Sequence, residues 1–147
     1  MSSEVFEKFR GKKICVLAVG NTLKGDDGVG VYVGERLTKK KDVRVLMCHT
    51  VPENFGLVPS PDEVVFIVDG VKGIRGNYVV TDKISGYEAV SNHCPALNLT
   101  YEVLKQRVKD VFLIGVRVGK TGFGEKISEV VKERAELLLK DMESVWA

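Results

Sequence analysis

Three short, unbroken apolar runs set the terms for any fold of this chain. They are Lys13–Val19 (KICVLAV), Val64–Asp69 (VVFIVD) and Val111–Val118 (VFLIGVRV). Each is rich in β-branched residues and lacks polar alternation, so each reads as a strand buried on both faces. Such strands need helices above and below them, and the intervening segments supply these. Gly28–Lys39 places Val29, Tyr32, Val33 and Leu37 on one helical face. Asn98–Val108 repeats the pattern through Leu99, Val103 and Leu104. Glu125–Trp146 is a long helix with Ile127, Val130, Val131, Leu138, Met142 and Val145 on its core stripe. Val43–Cys48 is a second strand and Asn77–Val80 a fourth, which makes the 111–118 run the fifth. The connection Gly70–Gly76 is too short for a parallel crossover, which needs about a dozen residues. The fourth strand is therefore expected to run antiparallel to the third. The predicted fold is α/β: a three-layer αβα sandwich with a mixed, mostly parallel five-stranded sheet, formed as one domain over residues 1–147.

Composition narrows the function classes. A chain of 147 residues is long enough to bury about 68–70% of its unfolded surface. Its formal charge of +2, from 22 basic and 20 acidic residues, gives no electrostatic reason to expect nucleic acid as a partner. Lys39, Lys40 and Lys41 form one compact basic run, placed where cations suit the negative end of a helix dipole. The apolar runs are far short of the roughly 18 residues a membrane span needs. The start, MSSEVFEKFRGKK, has no signal-peptide core, so a cytoplasmic location is expected. Cys15, Cys48 and Cys94 show no paired spacing and read as reduced thiols. Trp146 reads as helix-face packing rather than an interface.

The chemistry concentrates in residues 19–30, V-G-N-T-L-K-G-D-D-G-V-G, between the first strand and its helix. Asp26 and Asp27 there would oppose a pyrophosphate at a helix N-terminus. The dinucleotide fingerprint also fails, because Ala18 takes the first glycine position, and no phosphate-binding G-x-x-x-x-G-K-[ST] is present. One of the two acids can be a helix-capping residue, but two in succession repel unless a cation or proton relieves them. Asp69 ends the third strand, where it can serve a turn or bind. Ligands of open α/β sheets bind beyond the carboxyl ends of the strands, at the point where strand order reverses. In the common order 2-1-3-4-5 the first and third strands are neighbours there, which brings Asp27 and Asp69 to one crevice. His93, in the loop Ser91-Asn92-His93-Cys94-Pro95, is the candidate third group, and His49 is its reserve. Asp27, Asp69 and His93 would form an O, O, N set suited to nickel, zinc or manganese. There is no thiolate cluster and no H-E-x-x-H motif. Cys94 has no evident partner as a nucleophile.

The ordered motifs V-G-N-T-L-K-G-D-D-G-V-G, F-I-V-D-G and S-N-H-C-P-A-L, with V-P-E-N after the second strand and V-F-L-I-G-V at the fifth, resemble the [NiFe]-hydrogenase maturation endopeptidases. The resemblance covers most of the chain and is nearest to the branch that processes formate-hydrogenlyase-type large subunits. It implies removal of a C-terminal extension from the large-subunit precursor after nickel insertion. It further implies nickel recognition by Asp27, Asp69 and His93, with the metal carried by the substrate and no permanently bound cofactor. Asp26 is a further, catalytic candidate, since Asp26 or Asp27 could act as general base. The chain departs from the common family pattern at Asp27, often glutamate, at Gly70, often alanine, and at Ala18. Two rival readings stand beside this one. They are a self-contained metallohydrolase with its own divalent metal, and a non-enzymatic nickel- or precursor-binding protein. The oligomeric state is not legible.

Overall fold

The computed structural model of the chain describes residues 2–83, 88–89, 94–119, 124 and 126–146. In order along the chain these form α1 (Ser2–Lys8), β1 (Ile14–Val19), a 3-10 turn (Gly25–Gly28), α2 (Val29–Leu37), β2 (Val43–His49) and a second 3-10 turn (Pro52–Phe55). There follow β3 (Val64–Lys72), β4 (Tyr78–Thr81), β5 (Glu88–Ala89), α3 (Cys94–Arg107), β6 (Asp110–Arg117) and α4 (Glu129–Trp146).

The main path of the sheet runs β2-β1-β3-β6-β4, and the two-residue β5 pairs with the far end of β3. β1 lies parallel to both β2 and β3, with Ile14 level with Val43 and Val64. β6 is parallel to β3, and β4 is antiparallel to β6. The expected mixed, mostly parallel αβα fold therefore stands, with the five expected strands and one short addition. The last two strands stand in the reverse of the expected order. β6 offers β3 an almost wholly buried partner, Val111–Val116 excepting only half-buried Phe112. β4 has one buried residue, Val80, and so suits an edge.

Side-chain alternation splits the core into two layers. Ile14, Val16, Phe66, Val68, Ile114 and Val116 face α1, α2 and α4. Cys15, Leu17, Val19, Val65, Ile67 and Leu113 face α3. On the first side an aromatic cluster ties both chain ends to the sheet. The Phe6 and Trp146 rings are 5.1 Å apart, and Phe66 lies 5.1 Å from Trp146 and 5.3 Å from Phe112. Trp146 is buried against this cluster, and α1 exists because Phe6 and Phe9 complete it. Two helix stripes differ from the sequence reading. α3 buries Leu97, Tyr101 and Leu104 and leaves Leu99 exposed, while α4 buries Val131 and exposes Val130. Leu104, Val131, Leu138 and Met142 are buried as expected, so each stripe differs only at its margin, which the surface the helix packs on sets.

At the amino end of the sheet the Arg44 guanidinium holds the buried Glu63 carboxylate at 2.6 Å, and the Ser60 N–H donates to the same group. Burial alone would raise the Glu63 pKa. It is outweighed by these hydrogen bonds and the Arg44 charge, which together hold the carboxyl below its ordinary 4.5. The stabilisation is therefore present above about pH 4.5 and fades as pH falls through the lowered folded value. Glu63→Gln should cost about 1–2 kcal/mol at pH 7 and flatten the acid limb of a urea-denaturation stability curve. Cys15 and Cys48 are free and buried, and desolvation pushes both thiols up to about 12. At pH 8 iodoacetamide should leave both unmodified in native protein and label both in urea, read by peptide mass mapping.

Candidate active site

The acid loop begins where β1 leaves the sheet. Gly20 N–H donates to the His49 carbonyl at 2.8 Å, so β1 hands over while still fastened to the end of β2. The chain then turns back on itself. Asn21 N–H donates to Asp27 O at 3.1 Å, Asp27 N–H donates to Lys24 O at 3.2 Å, and the Asn21 side-chain oxygen accepts Leu23 N–H at 2.9 Å. The glycines permit this compaction. A Cβ at Gly20 would lie 2.4 Å from the Asp27 carbonyl oxygen, and one at Gly28 would lie 3.0 Å from Thr22 Cα. The Asp27 backbone is thus fixed from both sides before its side chain is considered.

Gly30, in the first turn of α2, seats this loop on the sheet. A Cβ there would lie 2.1 Å from the Val19 carbonyl oxygen and 2.4 Å from that of Val68. Val19 ends β1, and Val68 precedes Asp69 in β3. The helix start therefore rests on the two strands between which the sheet order reverses. One turn further on, a Cβ at Gly34 would meet the Ala18 Cβ at 2.4 Å, so Ala18 is small because α2 lies against it.

Asp27 and Asp69 are both fully buried, at 0% exposure. Asp69 does not end its strand, as the sequence suggests, because β3 continues to Lys72. The pairing of β1 with β3 stops at Ala18–Val68, whereas β6 stays paired with β3 through Val71–Arg117. Asp69 therefore stands one position past the last residue that β1 covers. Its Oδ1 accepts the Gly70 N–H at 2.8 Å. Gly70 keeps this point narrow, since a Cβ would meet Val118 Cγ1 at 2.9 Å.

Asp26 behaves differently from its neighbour. It is 1% exposed, and neither it nor Asp27 occupies the N-cap of α2, which is Gly28. The Asp26 carboxylate bonds instead to the backbone N–H groups of Gly119 and Ser128. His93 and the side chain of Cys94 lie outside the described residues. α3 starts at Cys94 rather than at Asn98, with Pro95 in its first turn, a position where its missing N–H costs nothing. His49 is exposed at the carboxyl end of β2 and has a left-handed φ of 52°. Among the described residues no three His, Cys, Asp or Glu side chains are grouped to hold a metal ion. The described part of the site is thus a pair of buried carboxylates, acceptors suited to a divalent cation once a further donor arrives. The sequence motifs point to both acids but carry no sign of the separate role of Asp26, whose partners come from the far end of the chain.

This fold recurs in solved proteins. The crystal structure of the [NiFe] hydrogenase maturation protease HycI from Thermococcus kodakarensis KOD1 matches with a TM-score of 0.75 at 34% identity, over 95% of this chain and 99% of that one. The solution structure of the endopeptidase HycI from Escherichia coli shares the fold, with a TM-score of 0.75 at 24% identity over 89% of this chain and 90% of that one. MJ0631 of Methanocaldococcus jannaschii, provisionally named a hydrogenase maturation protease, is 25% identical over 164 residues, covering 95% of this chain and 92% of its own. No family model matches the chain. The chain belongs to the [NiFe] hydrogenase maturation proteases. It is accordingly a peptide hydrolase. No helix among the described residues is long and apolar enough to cross a membrane.

The approach of α2 to the sheet gives a direct test. Gly30→Ala should cost about 3 kcal/mol or more, because the clash is with two backbone carbonyls rather than a movable side chain. Gly76→Ala, with its nearest contact at 3.7 Å, should stay within about 0.5 kcal/mol of wild type. Urea denaturation of the two variants decides it.

Proposed function

We propose that the protein removes the C-terminal extension of a [NiFe]-hydrogenase large-subunit precursor, of the formate-hydrogenlyase type, after nickel has been inserted. The metal is substrate cargo. It arrives on the precursor, and Asp27, Asp69 and His93 complete its coordination. No resident cofactor is needed, and the reaction takes place in the cytoplasm. The observation that carries this reading is the burial of two carboxylates, Asp27 and Asp69, on either side of the point where the sheet order reverses. Fully buried carboxylates are rare without a paired charge or a metal role. Carboxylate oxygens with one imidazole suit nickel. The flanking chain supports the third donor. Ala89, four residues before His93 in sequence, pairs with Val71, two residues after Asp69.

The chemistry follows from recognition. Contact between the carboxylates and the incoming nickel signals that the precursor is loaded, and the same contact orients the neighbouring peptide bond. Orientation of this kind can supply several kcal/mol of the barrier. A nickel ion beside the scissile bond can also polarise its carbonyl or activate water.

The experiment is intact-mass analysis of a cognate precursor incubated with the protein, with and without prior nickel loading. Loss of a short C-terminal peptide from the loaded precursor alone is the expected result. Asp69→Asn and His93→Ala should each lower that rate by about 10–100-fold or more. Equal cleavage of nickel-free precursor would instead identify a hydrolase with its own metal. An uncut cognate precursor would identify a binding protein.

A further inference from the structure

We propose that Asp26 is a positioning residue. It clamps the chain between β6 and α4 onto the acid loop and so holds Asp27 in place for the incoming substrate. This rests on the role proposed above for Asp27. The two aspartates are adjacent and both buried, so burial does not separate them. The long-range hydrogen bonds of Asp26 show what it holds. Asp26 Oδ1 accepts the Ser128 N–H at 2.8 Å, and Oδ2 accepts the Gly119 N–H at 3.3 Å. Gly119 follows the end of β6 by two residues, and Ser128 immediately precedes α4. The Asp26 carbonyl oxygen accepts the Val29 N–H at the start of α2. One residue therefore joins the 3-10 turn, the start of α2, the exit from β6 and the approach to α4. A further tie lies alongside, where Gly124 N–H donates to Leu23 O at 2.6 Å.

The consequence for Asp27 is mechanical. Consecutive Cα atoms are about 3.8 Å apart and the peptide between them is planar. A clamp on residue 26 therefore sets where residue 27 starts. Displacement of a reacting group by about 1 Å can cost around 100-fold in rate. A carboxylate fits the clamp because it presents two acceptors to two backbone donors. An asparagine keeps one acceptor, and an alanine keeps none.

The test uses the full chain and nickel-loaded precursor, with Asp26→Asn, Asp26→Ala and Ser128→Pro. The proline variant deletes one donor while leaving Asp26 intact. The kcat/KM of Asp26→Ala should fall about 10–100-fold. Asp26→Asn should retain part of what alanine loses, Ser128→Pro should resemble it, and all three should keep the wild-type pH profile. Hydrogen exchange at the Gly119 and Ser128 amides should speed up in Asp26→Ala. The proposal is overturned if Asn is as inactive as Ala and the rising limb of the pH profile vanishes, since Asp26 would then transfer a proton. It is equally overturned if exchange speeds up while kcat/KM stays at the wild-type value, which would leave a merely structural tie. If wild-type protein leaves the loaded precursor intact, the functional reading fails instead. The exchange arm then decides the clamp alone, and unchanged exchange removes it.

Discussion

The acidic end of the molecule depends on how closely the first turn of α2 may approach two strand ends. Gly30 has no side chain, and its Cα lies where any Cβ would strike the carbonyls of Val19 and Val68. That contact brings the acid loop down between β1 and β3. It also brings Asp27 and Asp69, which belong to different elements, to the same reversal point of the sheet. Gly34 against Ala18 continues the approach one turn along. The burial of both carboxylates follows from this seating, because a helix held further from the sheet would let water reach them.

Two adjacent aspartates in the loop have been given different work by the fold. Asp26 supplies acceptors to backbone N–H groups that arrive from the last third of the chain. A carboxylate used in this way strengthens a local scaffold, since charge-assisted hydrogen bonds are stronger than neutral ones. Asp27 has its backbone fixed by Asn21 and Lys24.

The opposite end of the sheet shows the complementary electrostatics. Among the described residues, α1, α2, α3 and α4 end near the amino ends of the parallel strands, where cations suit their negative dipole ends. Lys13 pairs with Asp62 at 3.1 Å, Lys40 with Glu143 at 3.6 Å, and Arg44 with Glu63 at 2.6 Å. A recess of about 490 Å³ at this end is lined by Lys12, Lys13, Lys41 and Arg44 among others. Its charge answers helix termini and local carboxylates, so its size does not make it the chemical site. The buried acids lie at the carboxyl ends, where open α/β sheets bind their ligands.

Much of this was legible in the sequence, for local reasons. Unbroken apolar runs identify β1, β3 and β6, because a strand covered on both faces has no room for polar alternation. The glycine-rich acid loop and Asp69 stand out in the sequence as acids beside apolar runs, and the fold buries them at the carboxyl ends of β1 and β3. Other features needed the tertiary structure. β6 displaced β4 from the side of β3 because strand order is a competition between partners, and the longer, more fully buried strand won. The stripes of α3 and α4 differ from the sequence reading only at their margins, because Leu99 and Val130 satisfy helical spacing as well as the buried Leu97 and Ala135 do. The helix at Ser2–Lys8 was invisible, since Phe6 and Phe9 gain their meaning only beside Phe66 and Trp146. The division between Asp26 and Asp27 was equally hidden. By itself the sequence determined which residues must be buried and where acidic chemistry gathers, since composition and period act over a few neighbouring residues. Only the tertiary structure decided which aspartate is held by Gly119 and Ser128, since those donors meet it through folding and not through proximity along the chain.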